Sequence, residues 1–536
     1  MNIASVPAAH ISTRLMDASQ LRAALDGPGE LALLDVREEG TFGEGHLFFA
    51  VNAPYSRLEI SVGALVPRTG ARIVLVDDGE GIADLSARRL AGLGYTDLAV
   101  LSGGVPAWKV AGHQLFKSVN SRSKAFAEVV EHAFHTPDIE AAELHRLLHS
   151  DADVVVLDSR TPEEFERFHV PGAVSCPGGD LALKFDTFVT SADQLVVVSC
   201  AGRTRGIIGA QSLIDAGVPN RVVALRGGTQ GWRLAGLDLD AGGIDVFDFE
   251  STSAAGAGAR ARAEAVRVRF GVRAVDQAQV ARWLTEEAAT RTTYVFDLRD
   301  RQEREAAPLP GAIPAPGGQL VQALDRWVGV QRSRIVLVDD DGVRARMTAH
   351  WLIQLGEEVH VLDGPRDRLR FARPDGGAAP RIESVTPGAV AALLAQGGRA
   401  LSLDASAAYR AGHAAGALWT IRPLLSGLPQ EVLRAPILVL FAAEPAVADL
   451  AALDLGEMSP ARIVAVEGGF AAWRDAGLPV EATPDTPPDA ERIDYLFWAH
   501  DRHEGNAEAM RTYLGWEEQL PAQVVAEGGG GFRLVP

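Results

Sequence analysis

The stretch Leu195 to Gly209 reads L-V-V-V-S-C-A-G-R-T-R-G-I-I-G. It begins as an apolar strand, reaches a cysteine, passes a short loop carrying glycine and arginine, and runs into the start of a helix. A short strand apolar on both faces belongs in a parallel sheet between helix layers. A strand handed to a helix through so short a loop is the unit of an α/β fold. Cys200 then stands at the carboxyl end of its strand, where sites in such folds gather. Gly202 lets the backbone curl, and a helix starting soon after Arg205 directs free amides and its positive end at the loop. Arg203 and Arg205 add charge and planar donor arrays. Such a cradle favours a thiolate or a bound anion; the plainer alternative is a buried, inert cysteine.

Outward from this stretch, one pattern recurs four times. A short helix precedes an apolar strand that ends in an acidic residue and usually Arg; a Gly/Ala turn follows, often with His, then a second apolar strand, a loop and a helix, and finally Gly-Gly and Trp. The first copy has L-L-D-V-R at Leu33–Arg37, Gly45-His46, I-V-L-V-D-D at Ile73–Asp78 and L-S-G-G-V-P-A-W at Leu101–Trp108. The second has V-V-V-L-D-S-R at Val154–Arg160, H-V-P-G-A-V at His169–Val174, the opening stretch, and L-R-G-G-T-Q-G-W at Leu225–Trp232. The third has Tyr294–Arg299, Leu309–Ile313, Ile335–Asp340 and a damaged ending at Leu362–Pro365; the fourth has Leu401–Asp404, Gly412-His413, Ile437–Ala442 and Val466–Trp473. Thr136-Pro137 and Thr386-Pro387 read as helix starts, each a capping hydroxyl before a first-turn proline, and Leu144, Leu147 and Leu148 give the next helix an apolar face.

The expected domains are 1–121, 122–245, 266–374 and 375–487, each a small parallel sheet flanked by helices, with a short helical tail over 488–536. The segment 246–265 contains S-T-S-A-A-G-A-G-A-R at Ser251–Arg260, a linker of the flexible kind that suggests two pairs of domains joined there. In the tail, Ile493, Leu496, Phe497 and His500, then Met510, Tyr513 and Leu514, suggest two short helices, and Gly528–Gly531 a loosely ordered end. His500, His503 and Glu504 lack the spacing of a strong metal motif.

A chain of 536 residues is long enough for roughly three to five domains. Its 51 basic and 70 acidic residues give a net charge of −19, which argues against nucleic-acid binding. Two cysteines, Cys176 and Cys200, exclude a disulfide framework and suit a reducing setting. Met1–Arg14 lacks signal-peptide character and no apolar run reaches spanning length. A cytoplasmic protein without a membrane partner is expected.

Lining up strand ends puts Asp78, Asp340 and Ala442 where the second copy has Cys200. None is a nucleophile, and a carboxylate in such a cradle repels an anion, so these copies are expected to be silent, with structural roles. Asp158 and Arg160 recur as Asp35 and Arg37 and as Asp297 and Arg299, which favours a role in the fold, although Arg160 could also reach a substrate. His46, His169 and His413 read as partners of loop carbonyls, and Trp108, Trp232 and Trp473 as core anchors. Cys176, in S-C-P-G-G-D, is echoed without cysteine at Ala315–Gly318 and reads as a small turn residue rather than a resolving thiol.

The elements C-A-G-R-T-R at Cys200–Arg205, D-S-R followed by T-P-E-E-F, H-V-P-G-A and L-R-G-G-T-Q-G-W together resemble an active domain of the rhodanese family, and the weaker copies extend the resemblance to a tandem array of four such domains over roughly the first 480 residues. The resemblance implies transfer of a sulfane sulfur, typically from thiosulfate, through a Cys200 persulfide to cyanide or a thiol, with Ala201, Gly202, Arg203, Thr204, Arg205 and Arg160 as the substrate-binding set and no metal or cofactor. Cysteine phosphatases that resemble the same fold set Arg six positions after the cysteine, where Gly206 stands here, so phosphatase or arsenate reductase chemistry is disfavoured. A reading from another class is a sulfur-relay or regulatory scaffold that passes persulfide sulfur to a protein partner.

Overall fold

Each apolar run that precedes a Cys200-like position becomes the middle strand of a parallel sheet in the computed structural model, which describes residues 13–243, 254–366, 369 and 381–536. In the second repeat Leu195–Ser199 lies between Val222–Leu225 and Val154–Asp158, with Asp138–Ile139 and Val174–Ser175 as two-residue edge strands. The same order puts Arg72–Val76 between Asp97–Leu101 and Leu31–Asp35, Arg334–Val338 between Glu358–Leu362 and Thr293–Asp297, and Ile437–Phe441 between Arg462–Val466 and Arg399–Ser402. From the middle strand the chain continues toward one edge of the sheet, and from its neighbour, which ends in Asp in the first three repeats and in Ser402 in the fourth, toward the other. The carboxyl ends of these two strands therefore flank a topological switch point.

The sheets are covered on both faces. Val196 and Val198 pack in one apolar cluster with Leu181, Phe185 and Leu213, while Val197 belongs to the opposite cluster with Leu144, Val156 and Trp232. Burial of each such valine stabilises the fold by about 1.5–3 kcal/mol, so an unbroken apolar run is required here rather than an alternating one.

Two compact units emerge, and they are not consecutive pairs. One comprises residues 1–27, 31–119 and 373–498, the other 28–30, 120–372 and 499–536. The first and fourth repeats thus share a unit, as do the second and third, in place of the pairing suggested by the linker. In the first unit, buried Arg422 joins Glu59 of the first repeat at 2.5 and 2.8 Å to Asp454 of the fourth at 2.7 Å, and its guanidinium lies over the Tyr55 ring. In the second unit, Ala254–Arg269 is a helix packed on Leu181–Phe188 and Arg344–Gln354, with Ala259, Ala263 and Val266 buried. Beside Gly256 and Gly258, its small residues are alanines, the strongest helix formers. The rest of the linker, 246–253, and the boundary at 374 lie outside the described residues.

Three local expectations change. Thr136-Pro137 does not start a helix; the proline is followed by the edge strand Asp138–Ile139, and Thr136 Oγ1 donates to Gln211 at 2.8 Å. The capping box stands instead at Thr161-Pro162, where Thr161 and Glu164 cap each other's end of Pro162–Arg167. The tail forms one helix, Ala507–Ala526, preceded only by 3₁₀ turns at Asp489–Glu491 and His500–His503, and Arg533 N and Val535 N of its last segment donate to Gln354. Among the described residues no helix is long and apolar enough to cross a membrane.

Candidate active site

Strand register settles which residues are equivalent. Asp158 pairs with Ser199, Asp35 with Val76, Asp297 with Val338 and Ser402 with Phe441. The next residues are Cys200, Asp77, Asp339 and Ala442. The aspartates at the cysteine position are therefore Asp77 and Asp339, one residue before the expected Asp78 and Asp340; in two consecutive aspartates, strand ends alone do not show which one leaves the sheet. Hydrogen bonding agrees, since Thr229 N donates to Cys200 O and Val105 N to Asp77 O, both at 2.8 Å.

What these residues meet is a common cradle. The Asp77 carboxylate accepts from the amides of Gly79, Gly81 and Ala83 at 2.9–3.0 Å, and Asp339 accepts from Ala345 at 2.9 Å. Ala83 and Ala345 lie six residues on from their aspartates. The residue six on from Cys200 is Gly206, and the amides of Gly206 and Gly202 donate toward the Cys200 sulfur. The loop thus turns backbone donors onto the side chain at this position: a carboxyl group in the first and third copies, and a thiol in the second.

Cys200 is buried, and burial is the largest influence on its thiol, raising its pKa; Arg205 and the amides of Gly206 and Gly202 oppose that rise without overcoming it. The helix Thr204–Asp215 begins one residue before Arg205, so Arg205 lies in its first turn. Its guanidinium forks onto Glu164 at 2.6 and 2.8 Å. Burial works against ionisation of Glu164, but the Arg205 hydrogen bonds and charge bring it down to about 2. Arg203 is turned elsewhere, onto Glu128 at 2.8 Å through both Nε and Nη2, and onto Glu131 and Glu518. Of the two loop arginines, Arg205 is the one whose charge acts on Cys200.

Asp158 and Arg160 form a buried fork, Arg160 Nε and Nη2 to the carboxylate at 2.9 and 2.8 Å and Nη2 to Phe168 O at 2.5 Å. Arg37 and Arg299 are held alike, and each also gives Nη1 to an aspartate, Asp78 at 2.9 Å and Asp340 at 3.2 Å. Register puts Ala201 at that place in the second repeat, so Arg160 lacks this carboxylate next to the cradle. His46, His169 and His413 each bring Nδ1 to the carbonyl four residues earlier and stack on that residue's ring. Trp232 is buried, with Nε1 donating to Asp238 O. Cys176 lies inside the apolar core that contains Leu181 and Val198, where burial pushes its thiol well up.

The C-terminal helix Ala507–Ala526 completes the site, which reading by repeats missed. A side chain at Gly202 would start 3.2 Å from Glu517 Oε2, 3.4 Å from the Tyr513 ring and 3.5 Å from Gln230 Nε2. Glu517 Oε1 accepts from Thr204 Oγ1 at 3.3 Å and from the Tyr513 hydroxyl at 3.0 Å. The only signal in the sequence was the apolar trio Met510, Tyr513 and Leu514, which marks a packed helix but not its target. Among the described residues, no group of three His, Cys, Asp or Glu side chains is placed to hold a metal.

A model of the rhodanese-like domain matches residues 17–111, 140–235 and 276–365. The crystal structure of a thiosulfate sulfurtransferase from Pseudomonas aeruginosa is similar along its whole length, with 41% identity, coverage of 98% of this chain and 100% of that one, and a TM-score of 0.90. A rhodanese-like domain from Anabaena sp. matches at 22% identity over 22% of this chain and 93% of its own, with a TM-score of 0.18. No curated protein matches.

Proposed function

Since the chain belongs to the rhodanese-like family, we propose that it is a sulfurtransferase with one working centre, at Cys200, which takes a sulfane sulfur from thiosulfate and hands it to cyanide or a thiol. The Cys200 thiolate attacks the outer sulfur of thiosulfate; the bond to the inner sulfur breaks and sulfite leaves with its electron pair. The acceptor then attacks the terminal sulfur of the persulfide, and the Cys200 thiolate is the leaving group, so one difficult transfer becomes two easier ones. The amides of Gly202 and Gly206 would hold the charge on sulfur, with Arg205 behind them.

The observation that carries this reading is the contrast within the chain: one backbone loop, filled by a carboxyl side chain at Asp77 and Asp339 and by a thiol at Cys200. Incubation with thiosulfate and cyanide is expected to yield thiocyanate, and Cys200→Ser to abolish it while Cys176→Ala keeps most of it. Undiminished turnover in Cys200→Ser would refute the assignment.

A further inference from the structure

Both arginines of the Cys200 loop are already paired with carboxylates. Arg205 forks onto Glu164, and Arg203 is shared by Glu128, Glu131 and Glu518. One more carboxylate stands over the loop without being used up in this way. Glu517 is 1% exposed; its Oε1 takes the hydrogen bonds of Thr204 and Tyr513, while Oε2 has no hydrogen-bond partner among the described residues and faces Gly202, whose amide donates toward the Cys200 sulfur. Lys124, with Nζ 5.1 Å from the Tyr513 ring centre, together with Arg203 and Arg502, favours the ionised form, against burial, which is the larger influence and raises its pKa. Glu517 lies outside the three segments that match the rhodanese-like domain.

We propose that Glu517 is a specificity-determining residue of the Cys200 centre, a buried carboxylate beside Gly202 that weighs against sulfur donors of high negative charge. This rests on the reading of Cys200 as the sulfur carrier. A donor must bring its sulfane sulfur to Sγ within the same small volume, so its charge interacts with Glu517 through protein rather than bulk water, and the penalty grows with donor charge. Repulsive groups aimed at the disfavoured ligand are a usual source of such selectivity.

Two donors that present the same kind of sulfur–sulfur bond separate charge from chemistry: thiosulfate, a dianion that releases sulfite, and methanethiosulfonate, a monoanion that releases methanesulfinate. The measurement is the second-order rate constant for gain of one sulfur by the full-length protein, read by intact mass at mildly alkaline pH. Glu517→Gln is expected to shift the thiosulfate-to-thiosulfonate ratio of rate constants toward thiosulfate by about fivefold to tenfold, the size of one removed charge at moderate effective dielectric. Glu517→Asp, which keeps the charge, retains the wild-type ratio, and Glu517→Met, of similar length, repeats the shift if the Gln variant does not fold. A ratio unchanged in both neutral variants, or rates falling equally for both donors, overturns the proposal and leaves the Cys200 assignment standing. If neither donor loads the wild-type protein, the Cys200 assignment fails and this proposal with it.

Discussion

At Cys200 two tendencies compete, and the difference is measurable. Burial favours the neutral thiol, whereas Arg205 and the Gly206 and Gly202 amides favour the thiolate, and burial is the larger. With the pKa raised, the thiolate fraction keeps growing with pH beyond the range where an ordinary thiol has already ionised. The rate of Cys200 alkylation by iodoacetamide is therefore expected to rise through and past that range; a plateau reached below it would contradict the balance described. The loop arginines are separable in the same way. Arg205→Ala removes the guanidinium that acts on Cys200 and strands Glu164 beside it, so sulfur loading should fall by about tenfold or more. Arg203→Ala strands buried Glu128 instead, and its main effect should be on the denaturation midpoint. Comparison of loading rate and midpoint in the two variants decides this. The sequence puts Cys200, Gly202 and Arg205 in one group, because strand, loop and helix are local. It could not say that Arg203 turns away, since Glu128 and Glu131 reach it from a helix more than seventy residues earlier in the chain.

At the scale of elements, the strand–loop–helix unit is clamped by the Gly-Gly turn that opens the repeat's last helix. Gly228 has φ +55°, and a Cβ there would lie 2.2 Å from Cys200 O; Gly104 has φ +58°, with its Cβ site 2.2 Å from Asp77 O. Both positions need glycine for conformation and for close approach. Gly228→Ala is expected to displace the Cys200 loop and remove most sulfur loading, whereas Gly104→Ala should lower stability, by on the order of 1–3 kcal/mol for a strained left-handed residue, with loading kept. Circular dichroism melts beside the mass assay distinguish the two outcomes. The repeated Gly-Gly was legible as a motif in L-S-G-G and L-R-G-G, because the same backbone crossing is required in each copy. The helices were less so: Thr136-Pro137 and Thr161-Pro162 carry the same dipeptide, yet only the second caps a helix, since the first leads into a strand that finds Val222–Leu225 to pair with.

At the scale of the whole molecule, four copies of one sheet carry one thiol at the position of Cys200. Because Asp77, Asp339 and Ala442 occupy the other three positions and Cys176 is sealed in a core, each chain should accept one sulfane sulfur and no more. Intact mass under excess thiosulfate checks this; a second sulfur on a chain whose Cys200 is occupied would contradict it. The first and fourth repeats are joined by the buried network of Arg422, Glu59 and Asp454. The sequence by itself determined the α/β repeat, its parallel strands and the candidate thiol, since apolar runs of strand length, glycine turns and the strand-to-helix loop are all set by neighbours close along the chain. Only the tertiary structure decided that Asp77 rather than Asp78 takes the cysteine's place, which copies share a unit, and that Glu517 and Tyr513 stand over Gly202. Those facts depend on strand register and on helices packing across hundreds of residues, where the energy lies in burial and paired charge that no local pattern records.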